Sequence, residues 1–172
     1  MEPLWIRKTQ NKLRNTINTY DRNLSPLGIR VKKFGNPNMF EVTYGLSRIS
    51  VSTNPYRLSG NLYSGETNVK NRGKGIALAL RTFATALLRN AGYVKIKHQG
   101  VNFQNRNNAS RQKTQGLPVT THIVRKYLGF RPVGSSENYR SVWRKTNAQL
   151  KKLQNAERLA RNKLRNQRNI NR

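Results

Sequence analysis

No cysteine occurs in the 172 residues, which excludes disulfides and thiolate zinc sites. Carboxylates are nearly as scarce. The six acids, Glu2, Asp21, Glu41, Glu66, Glu137 and Glu157, are scattered along the whole chain. So dispersed a set does not build a carboxylate metal site. The two histidines, His98 and His122, have no ligand partners at metal-binding spacing, so both read as plain surface or loop histidines and no metal is expected. Long apolar runs are missing too. Arg81 and Arg89 interrupt the most apolar stretch, so no membrane span is expected. Met1-Glu2-Pro3-Leu4-Trp5 lacks the unbroken apolar core of a secretory signal. The expectation is an intracellular setting, either a reducing compartment or the interior of a nucleoprotein particle.

What is abundant is positive charge. Thirty-four Lys and Arg give a net charge of +28, with apolar residues at only 35%. A chain so charged repels itself and calls for a polyanion. Nucleic acid is the commonest such partner, because neutralised phosphates release counterions. The low apolar share places part of the chain in arms outside any core.

Along the chain, Ile6, Leu13, Ile17, Tyr20 and Leu24 recur at helical spacing, and Ser25-Pro26-Leu27-Gly28 ends that helix. Strand-like runs follow at 28–34, 39–44 and 49–51, with Asn36-Pro37-Asn38 as a turn. Residues 54–71 are polar and rich in turn formers, with only a weak strand at Leu58 and Leu62-Tyr63. Then Arg72-Gly73-Lys74-Gly75-Ile76-Ala77 opens a helix whose Ile76, Leu80, Phe83, Ala84, Leu87, Leu88 and Ala91 form one buried face. A glycine turn feeding a helix aims backbone amides and the positive helix end at an anion. Asn90-Ala91-Gly92 stops the helix, and Tyr93–Lys97 alternates as a strand. Residues 102–116 read as a basic loop of Asn, Gln and Arg. Pro118 opens a short helix through Leu128, and 130–133 and 139–143 form a closing strand pair. Trp5, Phe83, Phe130 and Trp143 are the expected aromatic core anchors.

From Asn147, Leu150, Leu153, Ala156, Ala160 and Leu164 form a thin apolar stripe. Around it stand eight cations, Lys151, Lys152, Arg158, Arg161, Lys163, Arg165, Arg168 and Arg172, against the single acid Glu157, a net of +7. Such a helix is marginal without a surface to lie on.

The glycine turn fails two nucleotide motifs. A P-loop requires glycine at position 68, where Asn68 stands, and a dinucleotide fingerprint requires glycine at 78, where Leu78 stands. Arg72, Gly75 and Ala77 do fit the Arg/Gln-x-x-Gly-x-Gly/Ala signature, and Leu128-Gly129-Phe130 matches a Leu-Gly-Phe that closes a following helix. In both respects residues 28–145 resemble the GNAT superfamily of acyl-CoA-dependent N-acetyltransferases. The resemblance implies an α/β fold with a central, mostly antiparallel sheet flanked by helices. The basic helices at either end would be extensions. The implied organisation is an N-terminal helix and linker over 1–27, a GNAT-like domain over 28–145 with a basic insertion at 103–116, and a basic helical tail over 146–172. It also implies acetyl-CoA as cofactor, its pyrophosphate held by Arg72, Gly73, Lys74, Gly75, Ile76 and Ala77, with the pantetheine arm admitted between the strands flanking the helix.

Carried over residue by residue, the family's general base falls to Glu66 and its acid to Tyr127, the residues available near those slots. The fit is imperfect. The usual tyrosine slot holds Arg125, and the Asn-x-x-Ala that precedes it reads Pro118-x-x-Thr121. Read from the residues alone, Arg72 and Lys74 suit solvated charge or nucleic-acid phosphate as well as CoA. Arg106, Arg111 and Lys113 in the loop join Lys151, Lys152, Arg158, Arg161, Lys163, Arg165 and Arg168 as candidate phosphate contacts. Two functions follow. One is a structural or assembly protein, its catalysis lost, that binds nucleic acid beside other proteins of a large particle such as a ribosome or virion. The alternative is an active N-acetyltransferase acting on an amine of a nucleoprotein or nucleic-acid-associated substrate.

Overall fold

The computed structural model describes residues 1–71, 73–99, 113–114, 117–134 and 140–170. The first helix, α1 (Leu4–Leu24), follows Pro3 and buries Ile6, Leu13, Ile17, Tyr20 and Leu24, one stripe at the spacing the sequence set. A short 3-10 turn, Ser25–Leu27, leads to four consecutive antiparallel strands. These are β1 (Ile29–Lys33), β2 (Met39–Tyr44), β3 (Ser47–Asn54) and β4 (Ser59–Glu66). Inward residues alternate along them: Ile29 and Val31, Phe40 and Val42, Ile49 and Val51. Asp21 fastens α1 to β1. Its Oδ1 accepts both the Val31 N–H at 2.8 Å and the Arg30 Nε at 2.9 Å.

From β4 the chain crosses over through α2 (Ile76–Asn90) to β5 (Lys95–His98), which lies parallel to β4. The two small strands β6 (Lys113–Thr114) and β7 (Leu117–Pro118) pair with each other. Then come α3 (Val119–Leu128), β8 (Arg131–Pro132), β9 (Ser141–Arg144) and α4 (Asn147–Ile170). The main sheet has seven strands in the order β1-β2-β3-β4-β5-β9-β8, antiparallel except at β4–β5. A mixed α/β fold with a mostly antiparallel sheet flanked by helices is therefore what the chain adopts.

Helix α2 is the centre. Ile76 and every residue from Ala79 to Leu88 are buried. It is apolar nearly all round because the sheet covers one side while α1, α3 and α4 cover others. Helix α4, which the sequence left without a surface, finds it here: Leu153, Ala156 and Leu164 join the same core as α2. At one point three helices are tied together by polar groups. Tyr20 of α1 accepts from Asn90 Nδ2 of α2 and donates to Glu157 of α4, which also pairs with Arg161 at 3.1 Å. Both terminal helices thus pack onto the sheet-bearing core.

Several local expectations needed revision. The polar segment before the glycine turn contains the eight-residue β4, since pairing with β3 supplies what weak propensity does not. Phe83, Phe130 and Trp143 are buried as expected, but Trp5 is half exposed and meets Tyr56 edge to face at 5.8 Å. His98 is the clearest reversal. It is 3% exposed, because two-residue alternation along β5 puts it on the same inward face as Ile96. The loop of 103–116 lies outside the described residues save Lys113 and Thr114.

Candidate functional site

The glycine turn sits at the N-terminus of α2. Gly73 and Gly75 both hold φ of 75°, a left-handed conformation costly to any residue with a Cβ, and Gly75 is the N-cap. No side chain caps the helix. The first intrahelical bond runs from Ala79 N–H to the Gly75 carbonyl at 3.0 Å, so the amides of Ile76, Ala77 and Leu78 have no intrahelical acceptor, while the Lys74 N–H is taken by the Asn71 carbonyl at 3.3 Å. Lys74 is exposed, Ile76 is buried and Ala77 is half buried, its carbonyl taken by Arg81 Nη1 at 2.9 Å. Arg72 lies outside the described residues.

The turn is not alone. Lys163 of α4 reaches across so closely that a Cβ at Gly75 would stand 2.7 Å from its Nζ. Four residues on, Gln167 Nε2 donates to the Lys74 carbonyl at 3.3 Å. Residues from the tail and from the turn are thereby brought together, two sets the sequence kept apart. A cation at the positive end of a helix is unfavourable by itself. Lys74 and Lys163 together form a site whose electrostatics improve when an anion arrives.

The rest of α4 sorts into two groups. Lys151, Lys152, Arg158, Arg165 and Arg168 are exposed on its outer side. Arg158 is braced by Asn155 at 2.8 Å, and with Arg165, Gln154 and Asn162 it lines a shallow groove of about 250 Å³. Arg161 belongs to the fold. It pairs with Glu157 and lies 5.6 Å over the Phe83 ring, so it is half buried. A second open groove, about 510 Å³, runs along α1 between Lys8, Lys12, Asn11, Asn15 and Thr16, with Asn90 at its wall. Of the loop cations, Arg106 and Arg111 lie outside the described residues, and Lys113 is placed only as part of β6.

The two acid–base candidates are both exposed. Glu66 ends β4 with its side chain exposed, 3.8 Å from Arg48 across the sheet. Tyr127 is exposed on α3, where Lys126 Nζ stands 5.2 Å from its ring centre. Arg125 turns toward β9. Its Nε donates to Ser141 Oγ at 2.8 Å and its Nη2 to the Arg140 carbonyl at 3.3 Å.

Sequence reasoning missed a buried polar cluster between α2 and β5. The Arg81 Nε donates to His98 Nε2 at 3.2 Å, and Phe130 packs against the imidazole with ring centres 6.2 Å apart. Burial, then the charges of Arg81 and Arg125, pushes His98 down to about 3, so the ring is neutral at pH 7. Burial lowers Arg81 to about 10, still charged at pH 7. The available signal was an arginine one residue after Leu80, inside the buried face.

The β4–β5 pairing ends nearby. Pairing of β4 with β5 runs from Ser59–Lys95 to Leu62–His98 and stops. On the other side of β4 the register shifts between Ser50 and Val51, leaving Tyr63 as the extra residue. Residues Tyr63–Glu66 therefore run on without a β5 partner among the described residues. Among those residues no three His, Cys, Asp or Glu cluster to hold a metal, and no helix is long and apolar enough to cross a membrane. No family model matches the chain, and no curated protein matches it.

Proposed function

We propose that this chain is a strongly basic, GNAT-like structural protein that binds nucleic acid within a large nucleoprotein assembly such as a ribosome or virion, its catalysis lost. The observation that carries this is the outer side of α4. Five cations, Lys151, Lys152, Arg158, Arg165 and Arg168, stand exposed there without a carboxylate partner among the described residues. The same helix is anchored to the core through Leu153, Ala156 and Leu164, so the cations are held on a rigid scaffold. Phosphate contacts of this kind supply affinity with little base reading. Support for lost catalysis comes from Arg125 in the tyrosine slot and from Glu66, open to solvent beside Arg48. Filter binding to duplex or single-stranded nucleic acid, titrated against salt, tests the reading. A steep fall of log affinity with log salt is expected, and a flat one overturns it.

A second reading, an acetyl-CoA-dependent N-acetyltransferase acting on a nucleoprotein amine, is favoured by a different observation. The uncapped amides at Gly75 and the parting of β4 from β5 after Leu62 suit a pyrophosphate and an extended arm. Calorimetry with acetyl-CoA discriminates. Binding that is lost in Gly75→Glu, accompanied by turnover, would move the assignment to the enzyme. No heat at high micromolar ligand would remove that reading.

A further inference from the structure

Arg81 is 6% exposed, yet no carboxylate among the described residues is bonded to it. Its three nitrogens have different fates. Nε is spent on His98 and Nη1 on the Ala77 carbonyl, both neutral acceptors. Nη2 points toward Gly65 of β4, where a Cβ would lie only 2.7 Å away. Gly65 is exposed, and it stands beyond Leu62, in the part of β4 that β5 no longer covers. A guanidinium thus lies behind Gly65, at the end of β4 that β5 does not pair.

Arginine cannot shed its charge at neutral pH, and a buried charge without a counterion is costly. His98 offers no compensation, being neutral there. Arg125, the other cation felt by His98, adds positive charge. Among the described residues, no carboxylate pairs with this guanidinium.

We propose that the opening beside Gly65, between β4 and the end of β5, is a binding site for a carboxylate ligand, received by Nη2 of Arg81. A carboxylate suits it better than a phosphate. One uncompensated charge is balanced by a monoanion, and a flat, narrow group passes where only glycine leaves room. Charge-assisted pairing of a guanidinium with a carboxylate is short and directional. This site is separate from the cations of α4 and does not depend on nucleic-acid binding.

The experiment uses the full chain, titrated with acetate at constant ionic strength against chloride. Thermal unfolding and the ¹⁵N–¹H resonance of the Arg81 Nε–Hε are followed together. The expected result is a saturating shift of that resonance and a melting temperature that rises with acetate over chloride. In Arg81→Met the acetate-specific rise disappears, while the melting point in chloride is equal to or above that of the parent. Gly65→Ala, which keeps the guanidinium but crowds it, weakens acetate by roughly tenfold to a hundredfold, the worth of one charged hydrogen bond. An equal acetate response in parent and Arg81→Met overturns the proposal. So does an unmoved Arg81 resonance in the parent, a test that stands even if the variant fails to fold. Saturation by inorganic phosphate but not acetate overturns the choice of carboxylate.

Discussion

Burial couples the protonation of His98 to folding. Unfolded, the imidazole has its ordinary value near 6.5; folded, it is pushed down to about 3 by burial and by Arg81 and Arg125. Between those values the unfolded chain binds a proton that the native one does not, so stability falls as the pH is lowered through that window. The slope from this one group approaches about 1.4 kcal/mol per pH unit. Urea midpoints from pH 7 to pH 4 should show a shallower fall for His98→Phe than for the parent; parallel curves would contradict the buried placement. Asp21 acts in the same direction lower down. Arg30 foremost, with the Val31 amide, holds its carboxyl below the usual range, so its contribution is present above about pH 4 and lost as pH falls through the native value. Asp21→Asn should therefore cost stability at pH 6 and progressively less as the pH is lowered below about 4. Gly75→Ala must hold a positive φ, with the flexible Lys163 side chain shifting aside, and should destabilise by about 1–2 kcal/mol.

Among the elements, α4 has most to reveal. Leu153 is fully buried in the core shared with α2, so Leu153→Ala should cost roughly 2–5 kcal/mol by denaturant titration at high salt. A loss near zero would mean that the helix folds as an independent arm. The stripe of Leu150, Leu153, Ala156, Ala160 and Leu164 was legible as a helix face, but its partner was not. No local pattern says that α2 needs covering on two sides. The near-continuous apolar run of α2 carries that information. The strands with clean alternation, β1 to β3, were legible, as were α1 and α3 between their proline and glycine stops. Strand β4 was not, because Ser59-Gly60-Asn61 and Ser64-Gly65 have poor strand propensity and are held by neighbours on the sheet. At the site, the glycine turn was found from its spacing. The approach of Lys163 and Gln167 was invisible, for it depends on how a helix ninety residues later crosses α2. His98 has no partner at ligand spacing in the sequence, but its parity with Ile96 along β5 places it inside.

For the whole molecule, the dominant quantity is +28 on a compact core. Charge repulsion of that size weakens the folded state at low ionic strength and is relieved by screening or by a bound polyanion. Adding salt should therefore raise the melting temperature of the free chain, and saturating nucleic acid should raise it further at low salt. A chain stabilised by neither would not be carrying its charge for this purpose. The most direct measurement is the salt slope of nucleic-acid affinity for the parent and for a variant with Lys151, Lys152, Arg158, Arg165 and Arg168 changed to alanine. If these five cations neutralise phosphates, the parent slope is steep and the variant's is shallower by about 3.5 to 4.5, at roughly 0.7–0.9 per released contact. A parent slope near zero, or identical slopes for the two proteins, would contradict the assignment of α4 as the binding face.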